Sequence, residues 1–88
     1  MSEPKNYSVQ GITDWLERQE FYATSIKGND STGTELPIKS ATLILDYTAQ
    51  IRNRIAGRAA ADEIDPRAKT LVRNILELRS EIERMIKR

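Results

Sequence analysis

Residues 66–86, PRAKTLVRNILELRSEIERMI, carry apolar side chains at Ala68, Leu71, Ile75, Leu78, Ile82 and Met85, a 3-4-3-4-3 spacing. Residues 41–58, ATLILDYTAQIRNRIAGR, repeat that spacing at Ala41, Ile44, Thr48, Ile51, Ile55 and Arg58. Folding the second stripe back on the first about Glu63 sets Leu71 on Ile55, Ile75 on Ile51, Leu78 on Thr48, Ile82 on Ile44 and Met85 on Ala41. Stripes matched layer by layer predict an antiparallel helical hairpin with coiled-coil-like packing.

Working outward, Asp65-Pro66 marks the start of the second long helix. Proline restricts the residue before it, Asp65 can cap, and Pro66 suits a first helical position. Helix C is expected over about 66–88, closing on Arg84, Lys87 and Arg88, whose charge suits a helix C-terminus. Helix B is expected over about 36–61, with Pro37 tolerated in its first turn and Ala56, Ala59, Ala60 and Ala61 extending it past the weak point at Gly57. Residues 27–36, with Gly28 and Gly33, read as a polar loop, long for a connection inside a compact helical domain. Helix A is expected over about 8–26, with Ile12, Trp15, Leu16, Tyr22, Ala23 and Ile26 on one face and Phe21 off it. Ser8 and Thr13 both suit its cap; Gly11 weakens the first turn and favours Thr13. Met1 to Asn6 read as a loose polar lead. The fold class is therefore all-α, one domain over residues 1–88: a short N-terminal helix plus a long hairpin. At 1.5 Å per residue, helices B and C would each run about 33–39 Å, too long for helix A to cover. Leu43, Leu45, Tyr47, Val72, Leu76 and Ile86 flank the seam, and a second copy of the chain is the expected cover.

The 88 residues contain no cysteine and no histidine. Thiol chemistry, cysteine-ligated metal and the commonest general base are excluded, so neither an enzyme nor a metal or other cofactor is expected. No basic-then-apolar leader opens the chain and no apolar run nears the roughly 20 residues that span a bilayer, which predicts a cytoplasmic protein without a membrane. The formal net charge is +1, unevenly spread: four Lys/Arg against seven Asp/Glu in residues 1–50, ten against six in residues 51–88. This is modest for a nucleic-acid binder and compatible with one local anion site.

The cations gather where the hairpin turns. Arg52, Arg54 and Arg58 close helix B; Arg67, Lys69 and Arg73 open helix C, where free N–H groups and the helix dipole also favour an anion. Arginine offers planar, bidentate recognition of phosphate. Against this stands a solvated face in which Asp62, Glu63 and Asp65 satisfy the arginines. The pairs Arg73/Glu77 and Arg79/Glu83 read as ordinary exposed helix pairs. Trp15 and Tyr22 would pin helix A to the hairpin, leaving Phe21 or Tyr7 free to stack on a base or anchor a partner. Lys27-Gly28-Asn29 lacks the spacing of a phosphate-binding loop.

Asp65-Pro66-Arg67 opening the second helix of a long hairpin, followed by Arg73 with Leu71, Val72 and Leu76 around it, resembles the hairpin domain of phage-encoded sponges. These sequester cyclic oligonucleotide immune signals in anti-CBASS and anti-Thoeris counter-defence. The resemblance covers about residues 40–88, with Ala68 where that family carries tryptophan. It implies a small, oligomeric, non-catalytic protein in the host cytoplasm that binds its signal through arginines and an N-terminal tyrosine and lysine. Carried over, it nominates Arg67 and Arg73, with Tyr7 and Lys27; the turn-end cluster adds Arg54 and Arg58. The expectation is a helical binding protein that sequesters a phosphate-bearing ligand. The alternative is a protein–protein adaptor or inhibitor acting through helix A and the 27–36 loop.

Overall fold

The computed structural model describes residues 3–28 and 35–86, and among them the fold is all-α with three helices. These are α1 (Val9–Lys27), α2 (Glu35–Ile55) and α3 (Pro66–Ile86). α2 packs against α1 and α3 in a body of 42 × 20 × 18 Å. Residues 29–34, most of the expected 27–36 loop, lie outside the described residues, as do Lys87 and Arg88.

α1 begins at Val9, not at Thr13. The reason is a local network that outweighs the glycine. Ser8 Oγ accepts the Gly11 N–H at 3.1 Å, and Asn6 Oδ1 accepts both the Ser8 N–H at 3.1 Å and the Ser8 hydroxyl at 2.6 Å. A Cβ on residue 11 would run into the Asn6 side chain, so glycine is what this close approach requires. Two further N–H groups of the first turn are satisfied from outside the helix: Val9 donates to Asp62 O at 2.7 Å and Gln10 to Ala60 O at 3.0 Å. Ile64 N–H donates to Tyr7 O at 2.9 Å, closing an isolated antiparallel bridge between Ser8 and Glu63. The lead into α1 is therefore bonded to the α2–α3 connection, with Pro4 buried.

α2 ends at Ile55, six residues short of the expected Ala61. Gly57 takes φ +79°, the left-handed conformation that terminates helices, and it overrides the alanines that follow. Residues 56–65 instead form a structured connection. Asp62 N–H donates to Ala59 O, its carboxylate accepts the Ala59 N–H, and Ile64 is buried as an apolar anchor. Arg58, expected on the stripe, lies in this connection. α3 starts at Pro66, where Asp65 Oδ1 accepts the Ala68 N–H at 2.8 Å.

The core takes Ile12, Trp15, Leu16, Ala23 and Ile26 from α1, Ala41, Ile44, Ile51 and Ile55 from α2, and Ala68, Leu71, Val72, Ile75 and Ile82 from α3. Thr48 is buried on the α2 stripe and donates its hydroxyl to Leu45 O, which satisfies it within its own helix. Val72, expected on the flank, is core.

Candidate functional site

The turn end carries the nominated arginines, and the structure sorts them into two groups. Arg54 is spent on Asp65: its Nη2 stands 3.0 Å from the carboxylate and its Nε donates to both oxygens. The Arg54 hydrogen bond and the Ala68 N–H hold the Asp65 carboxyl below its ordinary range. Arg58 donates to Glu63 O at 3.2 Å. Lys69 pairs with Glu63 at 2.7 Å, and this hydrogen bond lowers the Glu63 carboxyl. Here the acidic residues of the connection do satisfy part of the cluster.

Arg67 and Arg73 form the other group. Both are exposed on α3, and neither has an ion pair or hydrogen bond among the described residues. Arg73 lines a cleft of about 370 Å³ with Glu3, Tyr7, Lys69 and Leu76. The half-buried Tyr7 ring packs on the core, with Lys69 Nζ 5.8 Å from its centroid. Lys69 and Arg73 sit four residues apart, hence on one face of α3, and Tyr7 is held beside them by its backbone bond to Ile64. Lys69 is already paired with Glu63 and Glu3 adds a carboxylate to the lining, so the cation this cleft leaves for a phosphate is Arg73, beside the Tyr7 ring on which a flat ring could stack. Arg67 lies outside that cleft. Lys27 is remote: it closes α1, whose first residue is bonded to the turn end, and 19 residues of helix span about 28 Å.

A second polar centre lies between α1 and α3, where the sequence suggested only a surface ion pair. Gln19 is 2% exposed, donates to Trp15 O at 3.2 Å, and accepts from Arg79 Nη1 at 2.8 Å. The Arg79 guanidinium stacks 3.9 Å from the Tyr22 ring centroid, with its side chain 19% exposed. Glu83 stands 3.7 Å from Arg79 Nη2, and the buried Nε has no hydrogen-bond partner among the described residues. Burial pushes the Tyr22 hydroxyl up, with the Arg79 charge opposing it. The legible signal was Gln19 itself, a polar residue at the helical spacing of Trp15 and Ala23. On the other flank of α1, Glu20 takes Arg52 through two hydrogen bonds of 2.8 and 2.9 Å, which lower its carboxyl.

Among the described residues no group of three or more His, Cys, Asp or Glu could hold a metal ion, and no helix is long and apolar enough to cross a membrane. Comparison of the chain with protein-family models, with curated proteins and with solved structures finds no match.

Proposed function

We propose that this chain is a non-catalytic binding protein that sequesters a phosphate-bearing ligand at the turn end of α2 and α3. The observation that carries the reading is the cleft where Tyr7, Lys69 and Arg73 converge, with the Arg73 charge left unpaired among the described residues. An unpaired guanidinium beside an aromatic ring suits a nucleotide better than a bare anion, because phosphate and base each find a partner. In its specific form the ligand is a cyclic oligonucleotide, bound in the host cytoplasm as phage counter-defence. Arg67 is its nearest further unpaired cation on α3; Arg54 and Arg58 act as supports of the connection rather than as ligand contacts, and Lys27 takes no part.

The reading includes an antiparallel, coiled-coil-like register for α2 and α3, and a homo-oligomer. Arg52, which holds α1 through Glu20, lies on one flank of the α2 stripe; Leu43, 44% exposed, and half-buried Tyr47 lie on the other. Leu78 and Met85 occupy the corresponding flank of α3, opposite Arg79. A second copy covering these four residues would complete the burial that α1 leaves undone.

The test is thermal unfolding with a panel of cyclic di- and trinucleotides at low and moderate salt. A ligand that binds only the folded state raises the melting temperature by mass action. Arg73→Ala is expected to abolish the rise and leave the unliganded melting temperature almost unchanged, since an exposed unpaired arginine adds little to the fold. A panel without any rise, or a rise that survives Arg73→Ala, contradicts the reading. The adaptor alternative is favoured by one observation, the 76% exposure of Phe21 on α1.

A further inference from the structure

The cleft at Tyr7, Lys69 and Arg73 has a carboxylate in its wall, and the path of the chain puts it there. Pro4 is buried, and Tyr7 O accepts the Ile64 N–H at 2.9 Å beside the bridge between Ser8 and Glu63. The lead into α1 is thereby tied to the body of the protein on both sides of Lys5 and Asn6. Glu3, next to the buried proline, lines this cleft and also a second one, of about 410 Å³, at Arg79. It is exposed and has no ion pair among the described residues, so its charge is left standing at the opening. Lys69 and Glu63, 2.7 Å apart, balance each other. An incoming ligand therefore meets one guanidinium, one carboxylate and the Tyr7 ring.

We propose that Glu3 is a specificity-determining residue, which makes the cleft accept a singly charged phosphodiester and disfavour a terminal phosphomonoester. This rests on the phosphate-binding reading above and adds to it the kind of phosphate. A phosphodiester brings one negative charge, and Arg73 balances it. A phosphomonoester brings about two near neutral pH. Its second charge finds no free cation in the lining and faces the Glu3 carboxylate, a like-charge contact that weakens binding. A repulsive group placed against the wrong ligand is a general route to specificity. The order is the reverse of what attraction to a basic patch alone would give, where the more highly charged ligand binds tighter.

The probes are adenosine 5′-monophosphate and its methyl ester, which share base, sugar and phosphate and differ by one negative charge. Each is titrated calorimetrically into the full chain at low salt. The methyl ester is expected to bind about threefold tighter, the size of one charge contact at a protein surface. Glu3→Gln should strengthen the monophosphate and leave the methyl ester almost unchanged, so that the preference disappears. Glu17→Gln makes the same change of net charge at an exposed position outside this cleft, and should keep the preference. Raising the salt should shrink the preference in the wild-type chain through screening. If both esters bind, the assignment of Glu3 is overturned by equal or reversed affinities, by a preference that survives Glu3→Gln, or by its equal loss in Glu17→Gln; the phosphate-binding reading then stands. If neither ester binds the wild-type chain, or both bind Arg73→Ala unweakened, that reading fails and the role of Glu3 falls with it.

Discussion

A β-carbon on residue 11 would collide with Asn6, the side chain that fixes Ser8 as the cap of α1. Alanine is intrinsically the better helix former by about 1 kcal/mol, so propensity and packing oppose each other here. We expect packing to win: Gly11→Ala destabilises the protein in urea unfolding, and in an Asn6→Ala background the same change is neutral or stabilising. Gly57 gives a cleaner case. Its φ is +79° and a Cβ would meet nothing within 4 Å, so Gly57→Ala should cost about 1 kcal/mol through backbone strain alone. The Glu20–Arg52 pair sets a pH dependence. The Arg52 hydrogen bond lowers the folded-state pKa of Glu20 below its unfolded value of about 4.5. Stability from this pair is therefore present above that value and lost as pH falls through the lower folded one. Arg52→Gln should flatten the acid limb of a stability-against-pH curve, and an unchanged limb would mean the pair contributes nothing. Residue by residue, then, the interactions that decide are contacts between chain segments, which spacing alone does not display.

The three helices were legible because apolar periodicity and the Asp65-Pro66 boundary report helix existence directly. Their ends were less so. The alanines after Gly57 argued for a helix to Ala61, but a glycine able to take positive φ stops the helix when the following segment has better bonds elsewhere. Those bonds run to the lead of α1, through Val9, Gln10 and Ile64, and no local pattern announces a partner fifty residues away. The same pairing makes Ser8 rather than Thr13 the start of α1. It also makes Ile64, unremarked in the sequence, a buried anchor whose truncation to alanine should cost about 2–5 kcal/mol. The proposed register of α2 on α3 has its own test. Ile51→Ala and Ile75→Ala, both at fully buried positions, should each cost about 2–5 kcal/mol and couple in a double-mutant cycle, since the register puts them in one layer. Additive costs would break the register while leaving the helices intact.

At the scale of the molecule, a body of 42 × 20 × 18 Å with α1 on one side leaves Leu43 exposed and Tyr47, Leu78 and Met85 half-buried on the other. Light scattering at micromolar concentration should give a dimer or larger, and Leu43→Glu should shift it toward monomer; a strict monomer at every concentration removes the homo-oligomer from the account. Composition and spacing located the basic end of the molecule but not which cations are spent there. Arg54 and Arg58 look equivalent to Arg67 and Arg73 until Asp65 and the Glu63 carbonyl are seen to hold them. Lys27 was nominated beside Tyr7 by resemblance alone, and the length of α1 lies between them. Arg79 was hidden for the opposite reason, since its partner Gln19 is sixty positions away. The central claim is sequestration without turnover at the Tyr7–Lys69–Arg73 cleft, and equilibrium dialysis tests it most directly. A cyclic dinucleotide or trinucleotide is dialysed against the protein, its free concentration is measured, and the protein is then denatured to release what it holds. The account predicts depletion of free ligand by the wild-type chain, none by Arg73→Ala, and full recovery of the intact ligand on denaturation. Absence of depletion across the panel, or recovery of a hydrolysed product in place of the ligand, would contradict it.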